Sequence, residues 1–277
     1  PCEDTAWLAR AAARRGAFAD HVFAVANCVQ EGGAAWSCSL AALPELAEAW
    51  QLAEDQHTER LLLCALLGSG SYVPELQPAA FQSAITNPWM PFVAGRVLVY
   101  RAVTPEGVER TRVRLRPDTI EVAGIECAVV RDVVRIGGEL LEDTDDWFAQ
   151  DQDGDVWYLG EIAKNYEDGR LVDLGGSWTT GVDHARAGVV MRADPQVGDC
   201  YRQEFLLGEA EDVACVVDTN GTATVPWGTF CGCVVTEDYT PLEPGVRERK
   251  YYAHGIGLVL AVDLVSGERT ELVQVIE

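Results

Sequence analysis

The first seventy residues carry apolar side chains at helical spacing. Between Asp4 and Val29 the apolar positions recur every three or four residues, which predicts a helix with Asp4 or Thr5 as its N-cap. A second pattern of this kind runs from Pro44, which suits the first turn of a helix, to Leu67, and Gly68 follows as a stop. The two patterns together predict an antiparallel helical hairpin.

Beyond residue 96 the pattern changes to short runs of β-branched and aromatic residues. These runs are Val97–Ala102, Glu109–Leu115, Ile120–Val122, Ala128–Ile136, Trp147–Ala149, Val156–Leu159, Arg202–Leu206, Val213–Val217, Val234–Thr236, Lys250–Tyr252 and Gly257–Asp263. Turn signals separate them, at Pro105-Glu106-Gly107, Gly137-Gly138, Asp153-Gly154, Asn220-Gly221 and Ser266-Gly267. No long helical pattern intervenes, so successive strands are expected to pair antiparallel in a large curved sheet or barrel.

The chain is therefore predicted to be an α+β protein with two parts. We expect a disulfide-stapled helical hairpin over residues 1–68 and a mainly antiparallel β domain, sheet or barrel-like, over residues 89–277. The segment 69–88 between them is rich in Gly, Pro and Ser and has no sustained period, which is typical of a linker.

Four of the nine cysteines fall in the helical segment, which allows three pairings. An antiparallel hairpin places Cys2, before the first helix, beside Cys64 near the end of the second. It also places Cys28, at the end of the first helix, near Cys38 in the connection. The geometry therefore favours Cys2–Cys64 and Cys28–Cys38, each stabilising the segment by roughly 2–4 kcal/mol.

The other five cysteines lie in the predicted β domain. Cys200 and Cys215 stand on either side of the turn near Gly208, so a cross-strand disulfide between them is expected. Cys127, Cys231 and Cys233 remain. Three cysteines cannot all pair internally, so at least one is free, bonded to another chain or modified.

The cysteine content and the N-terminal residues indicate the cellular compartment of the protein. Nine cysteines in 277 residues favour an oxidising compartment, which predicts an extracellular or cell-envelope location. The sequence begins with Pro-Cys and lacks a basic and apolar leader, so we expect that a signal peptide has been removed. A lipid on Cys2 is the alternative to its disulfide. The longest apolar runs fall short of the roughly 20 residues needed to span a bilayer as a helix.

The net charge limits the classes of binding partner that are expected. The chain has 44 acidic and 21 basic residues, for a net charge of −23. Such a surface repels phosphate backbones and anionic lipid headgroups, so nucleic acid and membrane-surface partners are not expected. The acidity is explained either by solubility in an external medium or by cation binding.

The densest acidic segment suggests where a cation would bind. Carboxylates at alternate positions around an Asp-Gly turn resemble the start of a calcium loop, because a hard cation needs several converging oxygen ligands. The candidate ligands for Ca²⁺ are Asp145, Asp151, Asp153, Asp155 and Glu161. An EF-hand has Gly at the sixth loop position, which is Val156 here, so a β-hairpin with a solvated turn is the alternative.

The remaining sequence motifs give little indication of catalytic or cofactor chemistry. No nucleophile elbow, phosphate loop, dinucleotide fingerprint or zinc spacing occurs, and no catalytic residue is assigned. Cys231-Gly-Cys233 is either part of a structural disulfide or a soft-metal pair. Among so many acids, a carboxylate pair for hydrolysis would arise by chance, with Glu161 and Glu211 as candidates.

Several segments resemble a family of uncharacterised bacterial secreted proteins and lipoproteins. They are NPWMPF at 87–92, DDWFAQDQDGDVWYLGE at 145–161, PLEPGV at 241–246, KYY at 250–252 and GIGLV at 255–259. The helical segment with Cys28, Cys38 and Cys64 is also similar to the leader of some members. The resemblance covers most of the chain. It implies export and a β-rich fold, and it carries over no catalytic residue.

The sequence thus favours a non-enzymatic extracytoplasmic protein that binds or assembles, such as a self-assembling subunit of a cell-surface or extracellular structure. One alternative is a module for calcium, another divalent cation or a small ligand. The other is a secreted hydrolase that uses a carboxylate pair.

Overall fold

The computed structural model describes every residue from Pro1 to Glu277. The chain forms two compact units. The first contains Pro1–Tyr72 together with Pro241–Gly245, and the second contains Val73–Thr240 together with Val246–Glu277.

The first unit is the predicted helical hairpin, which is confirmed. Helix α1 spans Cys2–Gln30 and helix α2 spans Ala35–Leu67. Disulfides join Cys2 to Cys64 and Cys28 to Cys38, so both ends of the hairpin are closed covalently. Neither helix combines the length and the apolar character needed to cross a membrane.

The predicted start of the second helix at Pro44 is wrong, because α2 begins at Ala35 and Pro44 lies inside it. A proline inside a helix removes one backbone hydrogen bond, which normally ends the helix. Here the first turns are held by other contacts. Cys38 is bonded to Cys28, and the carbonyl oxygen of Ala42 lies 3.2 Å from Nδ1 of His21.

Polar contacts link the two helices near their middle. The Arg14 guanidinium lies 4.5 Å above the Trp50 ring and 3.1 Å from Glu54 Oε1. Trp50 Nε1 donates in turn to the Arg14 carbonyl at 3.2 Å. The short segment Pro241–Gly245 is attached to this unit, since Gln56 Nε2 donates to the carbonyl of Leu242 at 2.9 Å.

The second unit is built from sixteen strands. They are β1 Phe81–Gln82, β2 Val97–Thr104, β3 Gly107–Val122, β4 Ile125–Ile136, β5 Glu139–Asp151, β6 Val156–Glu167, β7 Arg170–Asp173, β8 Trp178–Thr179, β9 Arg186–Met191, β10 Cys200–Arg202, β11 Glu204–Phe205, β12 Val213–Val225, β13 Gly228–Tyr239, β14 Glu248–Ala253, β15 Gly257–Asp263 and β16 Arg269–Ile276. A 3₁₀ turn, Pro78–Ala80, precedes β1, so the segment expected as a linker contains regular structure.

The strands form an antiparallel, nearly closed, barrel-like sheet, which confirms the predicted fold class. Its order is β10-β12-β13-β14-β15-β16-β2-β3-β4-β5-β6-β9-β11, while β1 pairs with β5 and both β7 and β8 pair with β6. The two end strands of this order, β10 and β11, are separated along the chain by Gln203 alone. The segment 200–205 therefore pairs with β12 through its first half and with β9 through its second.

A disulfide fixes the segment that brings the two ends of the sheet together. Cys200 lies directly opposite Cys215 in the register of β10 and β12, and the two are bonded. The remaining cysteines form no disulfide: Cys127 and Cys233 are buried and Cys231 is exposed.

Two local predictions differ from the structure. Asn220-Gly221 was expected to form a turn, but it lies inside β12 at a register shift opposite β13. The strand predicted at Trp147–Ala149 is longer than expected, because β5 begins at Glu139 and includes the acidic segment 142–146. Both sequences are poor in β-branched residues, and in both the neighbouring strands impose the extended conformation.

Candidate functional site: a carboxylate-lined cavity inside the sheet

A cavity of about 290 Å³ lies inside the second unit. Most of its wall is apolar, and the remainder is largely acidic. Its lining residues are Met90, Pro91, Phe92, Leu98, Tyr100, Val113, Val130, Asp132, Asp146, Phe148, Tyr158, Val190, Gln203, Glu204, Asp212, Lys250, Tyr252, Ile256, Gly257 and Leu258. The cavity therefore combines an apolar wall with a few acidic groups.

Strand β5 sends adjacent carboxylates to opposite faces of the sheet. Asp145 pairs with Arg116 at 3.0 Å and with Lys164 at 3.6 Å, whereas the next residue, Asp146, lines the cavity. Successive side chains of a strand alternate between its two faces, so Asp146 shares the cavity face with Phe148. Asp145 and Asp146 are adjacent in the sequence, and the alternation of side chains along the strand places them on different faces.

A bulge in β6 brings two polar side chains to that same face. In the register, Phe148 lies opposite Tyr158 and Asp146 lies opposite Glu161, with a shift between the two pairs. Tyr158 and Glu161 therefore face the same side although they are three residues apart. Gly160 makes the bulge feasible, because a Cβ atom at this position would lie 2.4 Å from the carbonyl oxygen of Trp178.

An array of aromatic rings forms part of the wall. The ring centroids of Phe92 and Phe148 are 5.3 Å apart, those of Phe148 and Tyr158 are 4.8 Å apart, and those of Tyr158 and Trp178 are 5.2 Å apart. Such rings bury a large apolar area. The wall beside Asp146 is thus aromatic.

The segment 87–92 is anchored to strands on one side of the cavity through Asn87. The Asn87 side chain is 2% exposed, and its Nδ2 donates to the carbonyls of Gly154 at 2.9 Å and Arg192 at 3.1 Å. The Oδ1 atom accepts a hydrogen bond from the Trp89 amide at 2.9 Å. One buried amide thereby fixes the start of the segment that supplies Met90, Pro91 and Phe92 to the lining.

The same segment is held on another side by the turn between β14 and β15. The Gly255 amide donates to the Pro88 carbonyl at 2.7 Å. The Trp89 ring meets the ring of His254 edge-on at 5.4 Å. The segment 87–92 therefore connects the start of β6 and the end of β9 to the turn between β14 and β15.

Burial strongly affects the carboxyl groups inside the sheet. It raises the pKa of Asp132 to about 8, that of Asp146 to about 7, that of Glu204 to about 8 and that of Glu161 to about 9, with neighbouring carboxylates adding to each rise. The acidic groups that act on Asp132 are Asp146, Glu142, Glu109 and Asp143. These carboxyl groups therefore retain protons near neutral pH, at which an exposed carboxyl group is ionised.

Lys250 is the cationic residue in the cavity wall, and it already has partners. Its Nζ lies 3.0 Å from Asp238 Oδ2 and 3.3 Å from Glu248 Oε2. These carboxylates hold the pKa of Lys250 well above its usual value despite burial, which acts in the opposite direction. Lys250 is thus a neutralised structural charge.

The five predicted calcium ligands are not brought together. Asp151 Oδ1 accepts the backbone amides of Asp153 and Asp155, and its Oδ2 accepts Trp157 Nε1 at 2.8 Å. Asp155 in turn binds Arg192 at 2.6 Å. These carboxylates hold the hairpin turn in place.

The other two predicted ligands also lie apart. Asp145 is paired with Arg116 and Lys164, and Glu161 is buried beside Asp146. Among residues 1–277 no group of three or more His, Cys, Asp or Glu side chains is arranged to hold a metal ion. The calcium site stays a prediction.

The sequence pointed to some of the acids in this region and missed others. Of the two carboxylate candidates for hydrolysis, Glu211 is 1% exposed and accepts the Gly208 amide at 2.8 Å, and its neighbour Asp212 lines the cavity. Asp132 and Glu204 were not identified. The available signal was an acid two residues from an apolar position in a strand, as for Asp132 after Val130, which indicates a shared face.

Comparison with known proteins gives little similarity. No family model and no curated protein sequence matches the chain. A predicted exported protein with a YmcC-like fold from Bacteroides fragilis is 14% identical, with a TM-score of 0.37 over 68% of this chain and 99% of that one. A predicted lipoprotein from Parabacteroides distasonis is 12% identical, with a TM-score of 0.36 over 68% of this chain and 97% of that one. Similarity this low transfers neither a ligand nor a role.

Proposed function

We propose that this chain is a non-enzymatic extracytoplasmic protein that binds a small amphiphilic molecule in the cavity of its β domain. The observation that carries the proposal is the cavity itself, about 290 Å³ with an aromatic wall and a few carboxyl groups. A cavity of about 150 Å³ holds benzene, so this one admits a ligand of roughly a dozen non-hydrogen atoms.

The composition of the wall supports binding. Ligand pockets are lined mainly by apolar and aromatic side chains, with a small number of polar groups that orient the ligand. Small barrels with this interior hold one small molecule. Three disulfides fit a location outside the cytoplasm.

Calorimetric titration with a neutral probe tests the proposal. The probe is 3-phenylpropan-1-ol, whose roughly ten non-hydrogen atoms suit the cavity. We expect saturable binding to the wild type and none to Val113→Phe, because Val113 lines the cavity. Val103→Phe is the matched control, since Val103 lies on the neighbouring strand and is 59% exposed. The absence of saturable heat with wild-type protein at millimolar probe would refute the proposal.

The surface of the helical hairpin favours a second candidate, self-association. Large apolar side chains are exposed on both helices, including Phe23 at 68% and Trp36 at 74%. Patches of this kind on a soluble protein mark interaction sites, and a twofold pairing buries the same patch on both copies. A second hairpin offers the same apolar surface, although each copy also carries a net charge of −23, so the apolar contacts have to outweigh the repulsion between the copies.

Light scattering tests self-association. We expect a dimer or a larger species that the double variant Phe23→Ser, Trp36→Ser converts to a monomer. The control, Val265→Ser, changes an equally exposed residue of the β domain, 72% accessible, and leaves the assembly unchanged. A wild-type protein that stays monomeric at high concentration excludes this candidate.

A further inference from the structure

We infer that the ligand of the cavity is an organic cation, an amine with an apolar body, whose ammonium group binds between Asp132 and Asp146. This inference rests on the proposed binding function and adds the chemical class of the ligand. It follows from the charges of the wall, from an unpartnered carboxylate oxygen and from the aromatic surface beside it.

The cavity has more acidic than basic groups. Four carboxyl groups line it, those of Asp132, Asp146, Glu204 and Asp212, against one ammonium group, that of Lys250. Lys250 is already bound to two carboxylates outside this set, Asp238 and Glu248. Lys250 is the single basic residue of this lining, so the acids of the wall outnumber it four to one.

Strands β4 and β5 carry acids on both faces of the sheet, and the acids of the two faces differ in their partners. On the face opposite to the cavity, Asp143 is bound by Arg131 and Asp145 is bound by Arg116 and Lys164. On the cavity face, no basic side chain pairs with Asp132 or Asp146 in the structure. The same strands thus carry neutralised acids on one face and acids without a counter-charge on the other.

Asp132 has an oxygen with no partner at all. Its Oδ1 atom is inaccessible to solvent and makes no hydrogen bond. A buried acceptor without a donor costs free energy, and proteins keep very few such groups. Asp146, by contrast, accepts the hydroxyl group of Tyr158 at 2.6 Å. Asp132 lines the cavity, so a rotation of its carboxyl group about the Cβ–Cγ bond would present Oδ1 to an ammonium group bound there.

The wall beside these acids suits the rest of such a molecule. The rings of Phe148 and Tyr158 stack at 4.8 Å, and Tyr252 lines the same cavity. Aromatic faces attract a desolvated cation and pack against an apolar body. Ca²⁺ is a poorer match, because it needs six to eight oxygen ligands and most of this wall is apolar.

Binding of an amine should release a proton. Burial raises the pKa of Asp132 to about 8 and that of Asp146 to about 7, so without a ligand these groups are partly or largely protonated near neutral pH. A bound ammonium ion favours the ionised carboxylate. The carboxyl proton then passes to the buffer, the amine keeps its own proton, and charge is balanced.

The test compares two probes of the same size and shape by calorimetry at about pH 8, where an alkylamine remains charged. They are 3-phenylpropylamine and 3-phenylpropan-1-ol. We expect the amine to bind about tenfold more tightly or better than the alcohol. We also expect its binding heat to depend on the ionisation enthalpy of the buffer, which reports proton release.

Three variants separate recognition of the charge from general binding. Asp132→Asn and Asp146→Asn should each weaken amine binding about tenfold and leave alcohol binding unchanged. Asp153→Asn removes the same charge from an exposed turn and should change neither.

Equal affinity for the two probes, or an equal loss of both in Asp132→Asn, overturns the cationic ligand and leaves the proposed binding function standing. If the alcohol and the amine both fail to bind the wild type, the proposed function fails as well. Tighter binding of Ca²⁺ than of the amine, lost in Asp132→Asn, would replace the organic cation by a metal ion.

Discussion

The hydroxyl oxygen of Tyr158 lies 2.6 Å from Oδ1 of Asp146 inside the sheet. A donor to the ionised form of a carboxyl group lowers its pKa. Burial raises the pKa of Asp146 to about 7, and the Tyr158 hydroxyl acts against that rise. Tyr158 therefore acts as a positioning residue, holding the carboxylate and keeping it close to ionisation at neutral pH.

The first prediction concerns this hydrogen bond. Tyr158→Phe keeps the ring that stacks on Phe148 and removes the donor. The pKa of Asp146 should rise above 7, and the protein should lose about 1–2 kcal/mol of stability at about pH 9, where the carboxylate is ionised. Carboxyl-carbon NMR titration and urea unfolding measure the two effects. Tyr166→Phe on the same strand is the control, and an unchanged Asp146 titration in Tyr158→Phe would contradict the role given to Tyr158.

The second prediction is that stability falls as pH rises from about 4 to about 9. The folded pKa values of Asp132, Asp146, Glu161 and Glu204 lie between about 7 and 9, above the unfolded values near 4. In that window the folded chain binds more protons than the unfolded chain, so the free energy of unfolding decreases with pH. The slope is at most about 1.4 kcal/mol per pH unit for each group that is protonated in the folded chain and ionised in the unfolded chain.

Urea unfolding at several pH values measures this slope. The double variant Asp132→Asn, Asp146→Asn should flatten it and should be more stable than the wild type at about pH 9, because two buried carboxylates are gone. Exposed acids such as Asp153 should have no such effect when replaced by Asn. A stability maximum of the wild type above pH 7 would show that the interior acids are ionised without penalty.

Much of the fold could be predicted because its signals are local. Helical periodicity and the antiparallel arrangement of two helices were enough to choose Cys2–Cys64 among the possible pairings. The strand runs and the absence of helices between them were enough to predict an antiparallel, barrel-like sheet. Pro44 misled the prediction of a helix start, because the disulfide at Cys38 supports a turn that the local sequence does not.

The cavity could not be predicted, because it depends on long-range register. Asp145 and Asp146 are neighbours of the same type, and only the facing strands decide that the first pairs with Arg116 and the second lines the cavity. The bulge at Gly160 shifts Glu161 to the same face, against simple alternation. Glu204 lies in the segment that brings the two ends of the sheet together, and this segment is far from β4 and β5 in the sequence.

The third prediction concerns that segment. Replacing Cys200 and Cys215 by Ser should lower stability by about 3 kcal/mol, the value for a loop of this length, and should weaken probe binding in the cavity. The reason is that residues 200–205 join β12 to β9 beside Gln203 and Glu204 of the wall. Replacing Cys28 and Cys38 by Ser is the control, because that disulfide lies in the helical unit. Equal effects of the two pairs on probe binding would contradict the prediction.

The fourth prediction concerns Asn87, which orders the segment that supplies Met90, Pro91 and Phe92 to the cavity. Asn87→Ala leaves two backbone carbonyls and the Trp89 amide without their partner, so we expect a loss of about 2 kcal/mol or more and weaker binding of both phenylpropyl probes. Asn165→Ala is the matched control, since the half-buried Asn165 amide also makes two hydrogen bonds but makes them close to solvent, and it should cost less than about 1 kcal/mol. Because Asn87 touches neither the acids nor the proposed ammonium site, the amine and the alcohol should weaken by the same factor. A larger loss for the amine alone would place Asn87 in the recognition of charge rather than in the shape of the cavity.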